Sequence, residues 1–254
     1  MDTDLPLKLQ NRVIHSSHVD GGYIIDGVRV KGILKTLESK FYSNYRKVEK
    51  KRGITSSSKE EGIAFHRQVY HKYVCSKGGK VCDCLAKFKV RTRGSLRGSR
   101  IYRMLCQLDL FLEKKKWKVY DCEMVVHWPG TRYATAIDLV CVDNLTSPQC
   151  VYVLELKTGL FGNRNQSRTY DGSGTMLGTA GTNILNSIAN QHQLQLWFEV
   201  QALEKMLDIK VSECSVLYLS PIAIDGKYLE EKGAHWWFQC YSKRLELQKQ
   251  LLKV

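Results

Sequence analysis

Ala134-Thr-Ala-Ile-Asp138-Leu-Val-Cys-Val-Asp143 and Val151-Tyr-Val-Leu-Glu155-Leu-Lys157-Thr-Gly159 are two apolar runs of strand length. Between them lies Asn144-Leu-Thr-Ser-Pro-Gln149, whose Asn, Ser and Pro favour a turn. The pattern predicts a β-hairpin. Glu155 and Lys157 are two residues apart, so a strand points both to one face. Asp138 opens the partner strand. A carboxylate at each place, with a lysine beside the second, is a donor set for a hard cation, which takes oxygen ligands. Asp138 and Glu155 would give carboxylate oxygens, and the Leu156 carbonyl a third. Lys157 would orient a water or stabilise charge on a phosphate.

Two helical stretches extend this pattern. Ser56-Ser-Ser58 precedes Glu61, which predicts a capping box opening a helix. Ile63, His66, Tyr70 and Tyr73 recur at helical spacing and are expected on the face toward the sheet. The second stretch is Asn190-Gln-His192-Gln193-Leu-Gln195-Leu-Trp197-Phe-Glu199-Val-Gln201-Ala-Leu203-Glu204, where Gln191 and Gln201 read as exposed glutamines.

Asp followed by Glu-x-Lys on adjacent strands resembles the PD-(D/E)XK nuclease superfamily, and within it the RecB-like branch that includes phage and viral exonucleases. Gly62 and His66 match that branch's Gly-x-x-x-His, whose His lies beside the metal. A glutamine follows the Glu-x-Lys strand in the family. Aligning Leu203-Glu204 puts it at Gln195, the preferred reading, with Glu199 where a Tyr is usual. Aligning Trp197 at the aromatic place puts it at Gln193 instead. Thr135 stands where the family usually has Gly. Glu123 fits a family Glu on the preceding strand only loosely and reads better as an outward-facing charge.

The resemblance implies an α/β (α+β) fold with a restriction-endonuclease-like core, a central mixed β-sheet flanked by helices. It implies one or two Mg²⁺ or Mn²⁺ ions held by His66, Asp138, Glu155 and Leu156, with Asp138, Glu155, Lys157 and Gln195 catalytic. The expected activity is DNA phosphodiester hydrolysis by an exonuclease of replication, recombination, repair or genome processing, RNA being the other substrate left open. The alternative is a nucleic-acid-binding protein on the same fold that does not cut. The whole chain, 1–254, reads as a single nuclease-type domain. Its core covers about 59–219, with 1–58 an N-terminal elaboration and 220–254 a C-terminal strand and helix.

Other segments fill in around the core. Asp26-Gly27 predicts a hairpin turn, and Ile33 to Lys51 a helix. Ile101, Leu105, Leu108 and Leu112 predict one face of a helix, followed by a strand from Trp117 to Trp128 and a turn at Pro129-Gly130. Val211 to Leu219 and Ala234 to Tyr241 read as strands, and Lys243 to Leu252 as a helix.

Lys+Arg number 39 against 25 Asp+Glu, a net charge of +14, which suits a polyanionic partner. Arg91, Arg93, Arg97 and Arg100 lie in a basic Gly/Ser-containing segment, and Arg164, Arg168 and Tyr170 in the polar stretch after Lys157. The arginines are expected to contact phosphates and the tyrosine to stack on a base. No apolar run approaches membrane-span length, and the acidic start differs from a signal peptide, so no membrane partner and an intracellular, soluble location are expected. The nine cysteines are scattered and read as reduced thiols. Cys75, Cys82 and Cys84 cluster, and Cys214 and Cys240 would be needed to complete an iron–sulfur site, which is not favoured.

Overall fold

A computed structural model of the chain describes residues 16–19, 22–34, 37, 56–75, 100–143, 150–158, 188–219 and 230–233. The strands are β1 (Ser16–Val19), β2 (Gly22–Ile25), β3 (Val28–Gly32), β4 (Trp117–His127), β5 (Tyr133–Asp143), β6 (Val151–Thr158), β7 (Val211–Leu219) and β8 (Glu230–Gly233). The helices are α1 (Ser56–Tyr73), α2 (Arg100–Lys115) and α3 (Ile188–Leu207). All the strands join one mixed sheet, with β3–β5 and β6–β7 parallel and the other pairs antiparallel. The helix α3 makes the crossover between the parallel strands β6 and β7, as parallel pairing requires.

Each turn has a local cause. Asp26 and Gly27 both have positive φ, 50° and 79°, the backbone a two-residue hairpin turn needs. A Cβ on Gly22 would lie 2.2 Å from the Val30 carbonyl oxygen, so only glycine fits where β2 and β3 meet. Gly130, at φ 76°, turns β4 into β5.

The strand β5 is the hub. It carries β4 along one edge from Ala134 to Asp143. Its other edge is divided: β3 pairs at Tyr133 and Ala134, and β6 pairs from Leu139 to Val142. Thr135 to Asp138 face a fork between β3 and β6 on that edge.

Apolar side chains fill both faces of the sheet. Leu196, Val200 and Leu203 of α3 pack on Val140, Val142, Val153 and Val216. Phe65 and Val69 of α1 and Leu108 and Phe111 of α2 pack on the opposite face, against Val119, Leu139, Leu154 and Leu217. Fully burying a side chain of this size contributes roughly 1.5–3 kcal/mol, so the two layers hold the sheet rigid from both sides.

Several local expectations change. In α1 the buried positions are Phe65 and Val69, whereas Ile63 is half exposed. The true stripe is displaced by one position, which leaves His66, Tyr70 and Tyr73 at its margin. Ser58 lies inside α1 and not before it. Glu61 is not a cap: its Oε1 accepts a hydrogen bond from Arg100 Nε at 2.6 Å. In α2 the core face is Met104, Gln107, Leu108, Phe111 and Leu112, with Ile101 and Leu105 only half-buried. Gln201 is buried and not exposed, its amide bonded to Glu204. Beyond β7 the described chain adds β8 at Glu230–Gly233, a strand the sequence reading did not place. Residues 234–252, most of 35–51, Cys82, Cys84 and Cys240 lie outside the described residues. Cys75 and Cys214 form no disulfide among the described residues.

Candidate active site

The fork beside β5 gathers the ionisable groups. In β4, Cys122 pairs Leu139 and Met124 pairs Ile137, which brings Glu123 level with Asp138. In β6, Leu154 pairs Leu139, so the next step of that register brings Glu155 level with Asp138 too. Glu123, Asp138 and Glu155 therefore stand abreast on three neighbouring strands. Like charges so placed repel, and the surrounding groups answer that repulsion.

The strand alternation breaks at this row. Residues two apart on a strand ordinarily share a face. Yet Cys122 belongs to the α1/α2 side and Met124 to the α3 side, and Leu139 and Ile137 divide the same way. Glu123 has φ 54°, a left-handed backbone that is a true outlier for a residue in a strand. Such strain costs on the order of 1–3 kcal/mol and clusters at functional sites.

His66 hangs over Asp138 from α1. Its Nδ1 lies 3.0 Å from Glu123 Oε1 and 3.3 Å from Asp138 Oδ1. Gly62, one turn earlier, sets the approach of the helix: a Cβ there would lie 3.1 Å from Thr158 Oγ1 at the end of β6. Burial alone would lower the imidazole pKa, but the charge and hydrogen bond of Asp138, joined by Glu123, push it up to about 11. The imidazolium thus supplies the positive charge between two carboxylates. Burial would raise Asp138; His66 outweighs it, helped by Lys157 and the Leu156 N–H, and holds the carboxyl below its usual range.

Asp138 also spans the fork. Its Oδ2 accepts the Leu156 backbone N–H at 2.6 Å. A strand residue directs its N–H and C=O to the same neighbour, so the Leu156 carbonyl faces the β5 side as well.

Glu155 and Lys157 face α3. The Lys157 ammonium donates to Glu155 Oε1 and to Gln195 Oε1 at 3.1 Å. Gln195 Nε2 donates to Glu155 Oε1 at 2.6 Å and to Glu199 Oε1 at 2.8 Å. Glu199 accepts a longer bond from Thr135 Oγ1, 3.4 Å. Burial and the Asp138 charge push Glu155 up to about 7 against the pull of Lys157. Burial, then Glu155 and Asp138, hold Glu199 well above the usual carboxyl range. Lys157 is raised, since Glu155 and Asp138 outweigh burial, and so stays charged. His192, one turn before Gln195, lies with Nδ1 3.1 Å from Tyr218 Oη; burial and the nearby Lys157 hold it well below its usual value.

The structure thus joins Glu155, Lys157 and Gln195 in one hydrogen-bond network facing α3, while Asp138 pairs with His66 on the α1 side and bonds the Leu156 N–H. Gln195, and not Gln193, touches Glu155 and Lys157. Arg100 is engaged with Glu61. Arg91, Arg93, Arg97, Arg164, Arg168 and Tyr170 lie outside the described residues.

Two acids escaped the sequence reading. Glu123 is exposed, as expected of an outward charge, yet with its left-handed backbone its carboxylate also reaches His66. Glu199 is fully buried; its signal was a carboxylate one helical turn after Gln195 within an otherwise apolar stretch.

The donors fit a divalent cation. One atom each from His66, Glu123 and Asp138 lies within 4.8 Å of the others. Glu155 Oε2 is buried with no hydrogen-bond partner among the described residues. Carboxylate oxygens suit a hard divalent cation, and an imidazole nitrogen suits a first-row transition metal.

The sequence matches no protein-family model, and no curated protein matches it. No helix among the described residues is long and apolar enough to cross a membrane.

Proposed function

We propose that the chain is a divalent-metal-dependent nuclease of the PD-(D/E)XK type that hydrolyses DNA phosphodiester bonds as an exonuclease. The observation that carries this reading is the row Glu123–Asp138–Glu155, with His66 against its first two members and Lys157 and Gln195 against the third. Asp138 and Glu155 of this row are buried, and a purely structural sheet gains little from two buried carboxylates, each of which is costly to desolvate even with a cationic partner.

His66, Glu123 and Asp138 would hold the cation, with Glu155 Oε2 and the Leu156 carbonyl as the donors on the β6 side. A bound Mg²⁺ or Mn²⁺ supplies Lewis acidity and neutralises charge at a phosphoryl group. Lys157 remains an ammonium and serves as a fixed positive donor toward the phosphate or the attacking water, not as a base. Gln195 and Glu155 restrict that ammonium before substrate arrives, and such preorganisation is what makes a charge effective in a dry site. The net charge of +14 favours a polyanionic substrate.

The test is cleavage of linear and circular DNA with Mg²⁺, with Mn²⁺ or with chelator, beside Asp138→Asn and Lys157→Ala. Metal-dependent cutting of linear DNA, lost in both variants, is expected. No cutting under any metal overturns the enzyme reading, and equal cutting of circles overturns the exonuclease.

A further inference from the structure

Gln195 sits where its amide orientation is decided by chemistry alone. Lys157 offers only donors, and Glu155 and Glu199 offer only acceptors when ionised. Lys157 therefore fixes the Gln195 oxygen toward itself, and the nitrogen donates to one oxygen of each carboxyl, at distances of 3.1, 2.6 and 2.8 Å. Both Nε2 protons are used. One goes across to the sheet, the other along the helix to the next turn.

We propose that Glu199 is a positioning residue of this site: its carboxyl anchors the Gln195 amide from within α3, so that Gln195 presents a fixed oxygen to the Lys157 ammonium. This inference rests on the proposed nuclease reading for its catalytic consequence, but not for its geometry.

Three observations support it. Glu199 is fully buried, so its carboxyl is not there for solubility. Its Oε1 takes both of its hydrogen bonds, from Gln195 and Thr135, while Oε2 has no partner among the described residues. The single atom that does the holding is one a glutamine side chain also possesses. The position lies four residues after Gln195, the helical spacing at which side chains meet. Thr135, across the fork on β5, braces the same oxygen from the sheet. Burial together with the Glu155 and Asp138 charges favours the neutral carboxyl, which makes glutamine a close mimic.

Without Glu199, one Nε2 proton of Gln195 loses its acceptor in a buried setting. An unsatisfied buried donor is unfavourable, so the amide turns away to find another partner and Lys157 loses its fixed neighbour. A leucine that only filled space would suffice if the role were packing.

The experiment follows the Gln195 side-chain amide by NMR in protein carrying ¹⁵N-glutamine, assigned with Gln195→Glu. Wild type, Glu199→Gln and Glu199→Leu are compared without metal, each checked for a cooperative unfolding transition. In wild type and Glu199→Gln the Gln195 amide protons should exchange with water about tenfold more slowly than in Glu199→Leu, the effect of losing one strong buried hydrogen bond. If leucine prevents folding, Glu199→Ala, which only removes atoms, gives the same comparison. Identical amide shifts and exchange in the wild type and the leucine or alanine variant would overturn the proposal.

Cleavage supplies the second readout. Glu199→Leu should lower kcat by roughly 10–100-fold, as loss of a supporting hydrogen bond does, with the Mg²⁺ half-saturation point little changed. Glu199→Gln should recover most of that loss. A loss that glutamine does not rescue also overturns the positioning role. A wild-type protein that cuts nothing refutes the nuclease reading, and the amide exchange then still decides whether Glu199 holds Gln195.

Discussion

Asp138 accepts the Leu156 backbone N–H at 2.6 Å across the point where their strands part. One carboxylate oxygen is thus committed to the backbone, while the other faces His66. This division fixes the side chain without using up its charge. It also lets the structural and chemical roles be separated by substitution.

Asp138→Asn keeps an oxygen for the Leu156 N–H but removes the charge. It should fold, bind Mn²⁺ poorly and cut DNA roughly 10²–10³-fold more slowly, the scale of losing a key electrostatic group. Asp138→Leu leaves the N–H unsatisfied as well and should lower stability by a further 1–3 kcal/mol or so. Denaturant titration of both variants checks the difference; equal stability would show that the Leu156 bond contributes nothing.

His66 is protonated in the metal-free protein over the whole neutral range, since its pKa is pushed up to about 11. A metal ligand must be the neutral imidazole. Cation binding at neutral pH should therefore release the His66 proton, in addition to what Glu155 gives up near its own pKa of about 7, and affinity should rise with pH. Calorimetry of Mn²⁺ binding in buffers of different ionisation enthalpy measures the release. His66→Gln should release about one proton fewer. Wild-type binding with no more release than His66→Gln would remove His66 from the ligand set.

Glu155 gives a stability profile with a defined sign. Its folded pKa is raised to about 7 from the ordinary 4.5. The native state therefore binds this proton more tightly than the unfolded chain. The resulting stability is full below 4.5 and is lost as pH rises through about 7. In chelator the protein should lose stability on the order of a few kcal/mol across that window. Glu155→Gln should flatten the profile. The His66 effect has the same sign in a window from 6.5 to about 11, and Glu199, held well above the usual carboxyl range, adds to the fall from the acid side, so the difference between wild type and Glu155→Gln isolates Glu155. Thermal unfolding along a pH series makes the measurement.

Much of this architecture can be read in the residues. The β5–β6 hairpin follows from two apolar runs around a polar turn, and Glu155 and Lys157 share a face because strands alternate. Gln195 was preferred on the place of Leu203-Glu204, and it does touch Glu155. Periodicity fails where the backbone departs from its period. Glu123 looks outward only if β4 alternates throughout, and its φ of 54° breaks that alternation at the one position that matters. Ile63 looks buried because it shares a helical spacing with His66, but Phe65 and Val69 outweigh it and rotate the helix. Glu199 was legible as an odd acid in an apolar stretch; its pairing with Gln195 was not, because buried polar contacts depend on which face the helix turns inward.

Gly62 links the helix to the sheet, and substitution there sets two effects against each other. Alanine is favoured over glycine inside a helix by about 1 kcal/mol. Its Cβ, however, would meet Thr158 Oγ1 at 3.1 Å, closer than ordinary van der Waals contact. The helix must give by a few tenths of an ångström, as that distance implies, and His66 moves with it. Gly62→Ala should therefore weaken Mn²⁺ binding several-fold while changing stability little, because a small displacement matters more to a ligand set than to an apolar interface. Thr158→Ala removes the opposing oxygen. The double variant should regain the metal affinity and show the full helix-propensity gain of about 1 kcal/mol, a coupling that a double-mutant cycle reads directly. Strict additivity would mean that Gly62 does not govern how closely α1 approaches β6, and the position of His66 over Asp138 would need another cause.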